Sequence, residues 1–412
     1  MDKEKLLPSL RFSGYKDTWE RNKLEHYLNV SNEKNTEGIF GKEDVLSVSG
    51  DFGIINQIEF HGRSFAGVST ANYGVVNTGD VVYTKSPLKA NPFGIIKTNK
   101  GPAGIVSTLY AVYHPKENVY PDFIQVYFEQ YARMNQYMHP LVNKGAKNDM
   151  KVSDANALKG DVVFPKVDEE KKIVEYFMNI DRLITLHQKE YDKLLIMKKA
   201  MLEKMFPKNG NKVPEVRFSE FDGAWGYRKL GTISDKVTEK NVYMEYTETL
   251  TNSAEYGIIS QRDFFDHDIA KQDKINGYYV VRPEDFVYNP RISTTAPVGP
   301  IGRNKLGRCG VISPLYTVFR PKEVDNSFLE QFFKSSHWYS FMRFNGDTGA
   351  RSDRFSIKDT TFFEMPIPFP KLNEQRRIGQ YLAGLDVLIS LQDKKLTKLK
   401  NIKAGCLEKM FV

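Results

Sequence analysis

Between residues 180 and 205 one set of positions recurs at alternating intervals of four and three: Ile180, Ile184, His187, Tyr191, Leu194, Lys198, Met201 and Met205. The rhythm returns at Leu385, Ile389, Gln392, Leu396, Leu399, Lys403, Cys406 and Met410. Mostly apolar, each set forms a heptad seam sustained over nearly four heptads. A helix of about 38 residues is predicted in each case, roughly 57 Å long at 1.5 Å per residue. Pro165 or Pro370, followed by acidic or amide residues (Asp168, Glu169 and Glu170; Asn373 and Glu374), favours a helix start, and Pro207 closes the first helix. Two such helices would most simply bury their seams against each other. If the halves are related by a two-fold axis the helices run antiparallel, with Lys198 and Lys403 at matching seam positions where a polar residue fixes register. The alternative is that each helix packs on its own globular domain.

The rest of the chain carries a different period. Turn signals at Asn77-Thr78-Gly79-Asp80 and Arg282-Pro283-Glu284-Asp285 precede the strand-like VVY and FVY. TLYAVYHPK at 108–116 answers PLYTVFRPK at 314–322, while 122–138 and 326–343 read as helical.

These correspondences belong to one internal repeat. Residues 164–206 and 369–411 are identical at 19 of 43 positions at an offset of 205; both open Phe-Pro-Lys and close Leu-Glu-Lys-Met-Phe. PSLRFSGYKDTWERNKL at 8–24 is echoed by PEVRFSEFDGAWGYRKL at 214–230, sharing Arg11/Arg217, Phe12/Phe218, Ser13/Ser219 and Trp19/Trp225. A period this long describes two tandem half-molecules rather than a solenoid. The opening MDKEKLLP loosely echoes the join LEKMFPKNGNKVP, so the N-terminal segment takes the place that the join takes between the halves, and a closed, pseudo-two-fold arrangement is expected. Phe218 and Trp225 read as packing residues that tie each helix to the domain after it.

The division that follows is 1–163 and 215–368 as two domains, 164–207 and 369–412 as two long spacer helices, and 208–214 as a linker. The expected class is α+β: two pseudo-symmetric α/β-mixed domains separated by two long helices forming an antiparallel coiled coil.

Hydrophobic content of 41% and charged content of 27% are those of an ordinary globular protein. No run reaches the roughly 18 apolar residues of a membrane span, and the first residues are no signal peptide. Cys309 and Cys406 make neither a disulfide framework nor a metal site, so a reducing, cytoplasmic location is expected. Net charge is +8, but residues 371–411 alone hold 9 basic and 4 acidic side chains, so local distribution matters more than the total. Val81–Lys116 contains no Asp or Glu and carries Lys85, Lys89, Lys97, Lys100 and Lys116; Phe286–Lys322 is equally acid-free and carries Arg291, Arg303, Lys305, Arg308, Arg320 and Lys322. Both are rich in Gly, Pro, Ser, Thr and Asn, which suits loops that offer amides, hydroxyls and cations to a phosphate backbone. Asn91, Ser293, Thr294 and Asn304 join the candidate DNA contacts, since amide and hydroxyl side chains can also read base edges. A second pair of loops, NKGAKNDMKVS at 143–153 and GDTGARSDRFS at 346–356, adds Lys144, Lys147, Arg351 and Arg354. For any one lysine the competing reading is a side chain that only faces water.

The chain lacks a phosphate-binding G-x-x-x-x-G-K-[ST] loop, and its seven histidines show no metal-ligand spacing. Asn91-Pro92-Phe93 lacks the second proline of the amino-methyltransferase motif, and no glycine-rich cofactor turn accompanies it. Pro121-Asp122 with Glu169-Glu170-Lys171 makes a poor nuclease pattern, because Glu169 belongs to a helix start. No catalytic residue and no metal site is assigned; the pattern is that of a binding and assembly protein.

The order of variable domain, F-P-K helix ending L-E-K-M-F, second variable domain and second such helix resembles the specificity subunit of type I restriction–modification systems, as does the R-F-S…W entry to each half. The resemblance spans essentially the whole chain, with the helices its most specific part. It implies two target-recognition domains, each reading one half of a bipartite site in double-stranded DNA, and a coiled coil that spaces them. It also implies two docked adenine-N6 methyltransferase (modification) subunits and, in complexes that restrict, two endonuclease (restriction) subunits. S-adenosylmethionine, ATP and Mg would belong to those partners, with no cofactor on this chain. A pseudo-dimeric DNA-binding regulator acting without methyltransferase partners is the competing class, and a coiled-coil scaffold without DNA function a third.

Overall fold

The computed structural model describes residues 6–85, 87, 91–144, 150–208, 210–265, 272–348 and 353–412. Its long helices run Val167–Lys204 and Leu372–Lys409, 38 residues each, as the seam spacing predicts. Every named seam position is buried or half-buried, while most of the intervening charged residues face water. The chain divides into two compact units: residues 1–188 with 394–412, and residues 189–393. Each unit therefore takes a part of both helices, whereas the sequence division set the helices apart from the domains.

In the first unit, the start of the first long helix packs against the end of the second. Lys403 reaches Asp181 at 2.6 Å and Tyr176 meets Cys406 at 3.5 Å; one number rises as the other falls, so the segments run antiparallel. The core of this unit includes Cys406, Leu407, Met410 and Phe411 beside Trp19, Phe123, Tyr127 and Phe164. In the second unit, Lys198 pairs with Asp386, and Gln392 donates to Glu190 at 2.6 Å, again antiparallel. Leu202, Met205 and Phe206 complete a core with Trp225, Phe328, Phe332 and Leu382.

The two units are built on one plan. Each has a four-stranded antiparallel sheet, in spatial order 28–30, 110–115, 81–84, 96–98 in the first and 234–236, 317–321, 286–288, 301–303 in the second. Matching two-stranded pairings join 20–23 to 161–164 and 226–229 to 366–369, so the strand entering each domain meets the strand leaving it. The turns before VVY and FVY have a common cause. Gly79 (φ 93°) and Glu284 (φ 72°) both sit in the left-handed region, and buried Asp80 and Asp285 accept the amides of Asn77 and Arg282 at 2.7 and 2.8 Å. Their carboxylates also hold His114 (2.7 Å) and Arg320 (2.7 and 2.9 Å), the variable letter of the repeated HPK and RPK. The helical stretches break: Pro121–Glu129 is followed by Tyr131–Met138, and Asn326–Lys334 by Tyr339–Asn345.

The repeated entry motif is a fastening. Arg11 forks onto Glu169 with two 2.7 Å bonds, and Arg217 onto Glu374 with bonds of 2.7 and 2.9 Å, in each case at the first turn of a long helix. Phe12 packs edge-on to Tyr176 and Phe218 to Tyr381. Leu10 N donates to Lys409 O at 2.8 Å as Val216 N donates to Lys204 O at 3.0 Å. The N-terminal segment thus caps the second long helix as the join caps the first, which is the correspondence the sequence predicts.

Candidate nucleic-acid interface

The clearest gathering of candidate residues is in the second unit. Arg291 and Arg354, 63 residues apart, form an antiparallel bridge. Phe355 N donates to Pro290 O at 2.7 Å and Ile292 N to Asp353 O at 3.0 Å, which zips the two loops together. Arg291, Ser293, Thr294 and Arg354 are all exposed there. Neither arginine has an ion-pair partner among the described residues. Two unpaired guanidiniums beside two hydroxyls match what phosphates and guanine edges require. Arg351, expected on the same loop, lies outside the described residues.

The other basic residues of that window are engaged. Arg303 pairs with Glu330 at 2.7 Å, Lys305 with Glu330 at 3.0 Å, and Arg308 forks onto Glu248 with two 2.7 Å bonds. The hydrogen bond it donates to Glu248 raises the Arg308 guanidinium above its ordinary pKa. Asn304 is a correction to the sequence reading. It is 0% exposed, and its amide donates to Arg282 O and Arg308 O at 3.0 Å each, so it shapes a turn and reaches no DNA. Asn99 does the same in the first unit, donating to Asn77 O and Pro102 O.

In the first unit, Lys85 pairs with Asp154 at 2.9 Å and Lys100 with Asp122 at 3.4 Å. Lys97 is another correction as a surface contact: it is 7% exposed, and burial lowers its pKa, opposed by Glu129. Asn91 is half-buried. Lys89 and Lys147 lie outside the described residues, and only the backbone of Lys144 is described, in a short strand. An acid-free window in sequence is thus not acid-free in space, because carboxylates arrive from other elements.

Beneath each window the charges run on to the long helices. Lys403 binds Glu129 at 2.7 Å as well as Asp181; in the second unit Asp386 holds Lys198 and, at 3.0 Å, Lys334, which also pairs with Glu330. Burial opposes charge at Lys334 and Lys403, yet the surrounding carboxylates leave both ammonium groups with raised pKa values. At Lys198 burial outweighs Asp386 and the pKa is lowered.

Sequence reasoning passed over one repeated element. LSVSGDFGIINQ at 46–57 and LTNSAEYGIISQ at 250–261 form equivalent hairpins, pairing 46–49 with 53–56 and 250–253 with 257–260. The signal was there, at an offset of 204 rather than 205.

Two mixed domains of one plan, each with an antiparallel pair of long-helix segments and differing exposed loops, are the arrangement with which comparison to known proteins agrees. Residues 223–401 match the family model described as the type I restriction modification DNA specificity domain. Over 260 residues the chain is 24% identical to the type I restriction enzyme MjaVIII specificity subunit of Methanocaldococcus jannaschii, covering 59% of each. Over 301 residues it is 24% identical to the putative type I restriction enzyme MjaX specificity subunit of the same organism, covering 70% of this chain and 66% of that one. The matches thus span less than two thirds of these relatives. In fold it is similar to the type I restriction–modification S subunit from M. genitalium, with a TM-score of 0.52 and 11% identity over 98% of this chain and 99% of that one. Residues 223–401 are thus similar to that specificity domain, and longer stretches of the chain to type I specificity subunits. Among the described residues no helix is long and apolar enough to cross a membrane, and no cluster of three or more potential metal ligands occurs.

Proposed function

We propose that this chain is the sequence-reading subunit of a type I restriction–modification complex, working in the cytoplasm on double-stranded DNA. Each domain reads one half of a bipartite target, and the paired long helices set the distance between the halves. The observation that carries the reading is the duplication itself: two like helices joined to two domains whose exposed loops differ. Unlike loops suit unlike half-sites, and like helices suit two copies of one partner. Those partners are two adenine-N6 methyltransferase subunits, joined in a restricting assembly by two ATP-dependent endonuclease subunits. S-adenosylmethionine, ATP and Mg are theirs; this chain performs recognition and no catalysis.

The test is to insert one heptad into each long helix and map adenine methylation by long-read sequencing in cells that also express the methyltransferase. Each half-site should keep its sequence while the gap between them changes. Altered half-site sequences with an unaltered gap would refute the ruler.

A further inference from the structure

The hairpins at 46–56 and 250–260 stand out because their tips are alike where the domains around them differ. Asp51-Phe52-Gly53 corresponds to Glu255-Tyr256-Gly257. The turns are built identically: Ser49 Oγ accepts from Phe52 N at 3.3 Å and Ser253 Oγ from Tyr256 N at 3.3 Å, while Gly53 (φ 75°) and Gly257 (φ 67°) close them in the left-handed region. Each tip lifts an aromatic ring into solvent, Phe52 at 63% and Tyr256 at 61% exposure. Each also borders a cavity of its own unit, about 450 Å³ beside Lys97 and Glu129 and about 480 Å³ beside Arg303 and Lys334.

Phe52 has a ring neighbour in Phe60, 4.9 Å between centroids, but that ring is itself exposed, so the contact buries neither, and a strongly exposed ring kept in both units points to a contact outside the chain. An element that is the same in both domains cannot distinguish two different half-sites. It must serve something that both domains meet alike, and two candidates exist: the phosphate backbone and a duplicated protein partner. The carboxylates decide between them. Asp51 and Glu255 stand next to the rings, both exposed, and would repel phosphate. An aromatic anchor beside a charge that finds its opposite at the rim is instead the usual make-up of a protein hot spot.

We propose that the two hairpin tips are the points at which each domain grips one copy of the same protein subunit. Phe52 or Tyr256 enters an apolar socket on that subunit, and Asp51 or Glu255 meets a lysine or arginine beside it. In the second unit the Tyr256 hydroxyl lies within hydrogen-bond reach of the Glu255 carboxylate. The proposal rests on the reading of the chain as a specificity subunit with two identical methyltransferase partners.

Mass photometry of the full chain titrated with the purified methyltransferase subunit of its system tests this. Wild type should take up two copies. F52A should leave one tight and one weakened site, and F52A/Y256A should weaken both by roughly 10–100-fold. D51K/E255K should do the same, whereas F52Y and Y256F, which exchange the two natural solutions, should assemble normally and so report that the hairpins still fold. DNA binding by the chain alone should stay within twofold of wild type in every variant. Normal assembly by F52A/Y256A overturns the proposal, as does lost DNA binding with assembly intact. If wild type itself takes up no methyltransferase, the specificity-subunit reading fails, and this proposal with it.

Discussion

Glu170 and Gln375 occupy the same place in the first turns of the two long helices, and both are fully buried. Gln375 satisfies both ends of its amide: Oε1 accepts from Asp325 N and Nε2 donates to Pro370 O, each at 2.9 Å. Glu170 accepts from Tyr120 N at 2.6 Å through Oε2, but Oε1 has no partner among the described residues. A proton on Oε1 would turn it into a donor, as the Gln375 amide is. Burial pushes the Glu170 carboxyl up from 4.5 to about 8, against the pull of the Tyr120 amide. Below pH 4.5 the folded and unfolded chains both hold the proton. Between 4.5 and 8 only the folded chain holds it, so stability falls by about 1.4 kcal/mol per pH step. Above 8 the loss levels off. From pH 5 to 8 this amounts to ~4 kcal/mol as an upper figure, or on the order of 10 °C in Tm for a unit of about 200 residues. Glu170→Gln keeps the shape and removes the titration. Calorimetry from pH 5 to 8.5 should find wild type and E170Q close together at pH 5 and E170Q several degrees more stable at pH 8. Gln375→Glu should import the same pH dependence into the second unit. Parallel Tm profiles for wild type and E170Q across this range would show that Glu170 does not hold its proton, and the reasoning would be wrong.

Further outcomes follow from the same contacts. Arg217→Ala strands the buried Glu374 carboxylate, which also accepts from Trp225 Nε1 at 3.2 Å, and should cost roughly 3 kcal/mol; R217K, unable to fork, should recover part of it in urea unfolding. R291A/R354A should weaken binding of the chain to its target DNA and reduce the salt slope by about 2 if both arginines meet phosphates. A slope unchanged from wild type would remove that bridged pair from the DNA-facing surface.

The framework was legible because its causes are periodic or duplicated. The seam from Ile180 to Met205, together with the start signal at Pro165, gives the helix to within a turn, and the repeat of Arg11 and Arg217 marks a joint before any partner is known. The contact surface was less legible, for a reason visible at Arg303 and Lys305. Both lie in a stretch without acids, yet both are neutralised by Glu330, which sequence places 25 or more residues away. Charge along a chain is one-dimensional, whereas neutralisation is decided by packing. Asn304 went the same way, since a polar side chain in a Gly-rich turn serves its own backbone as readily as a ligand. Arg291 and Arg354 stood in the candidate set separately; only folding made them neighbours.

The first unit takes part of its core from Cys406, Leu407, Met410 and Phe411, whereas the second is continuous in sequence from 189 to 393. Made from the N-terminus, the domain synthesised first is therefore the one finished last. Phe123, Tyr127 and Phe164 wait for Phe411 through more than 200 further residues, on the order of 10–40 s of translation. Over that interval the second unit can close on itself while the first keeps an unfilled apolar face. A purified chain truncated after residue 393 should accordingly be cut by protease in the first unit before the second.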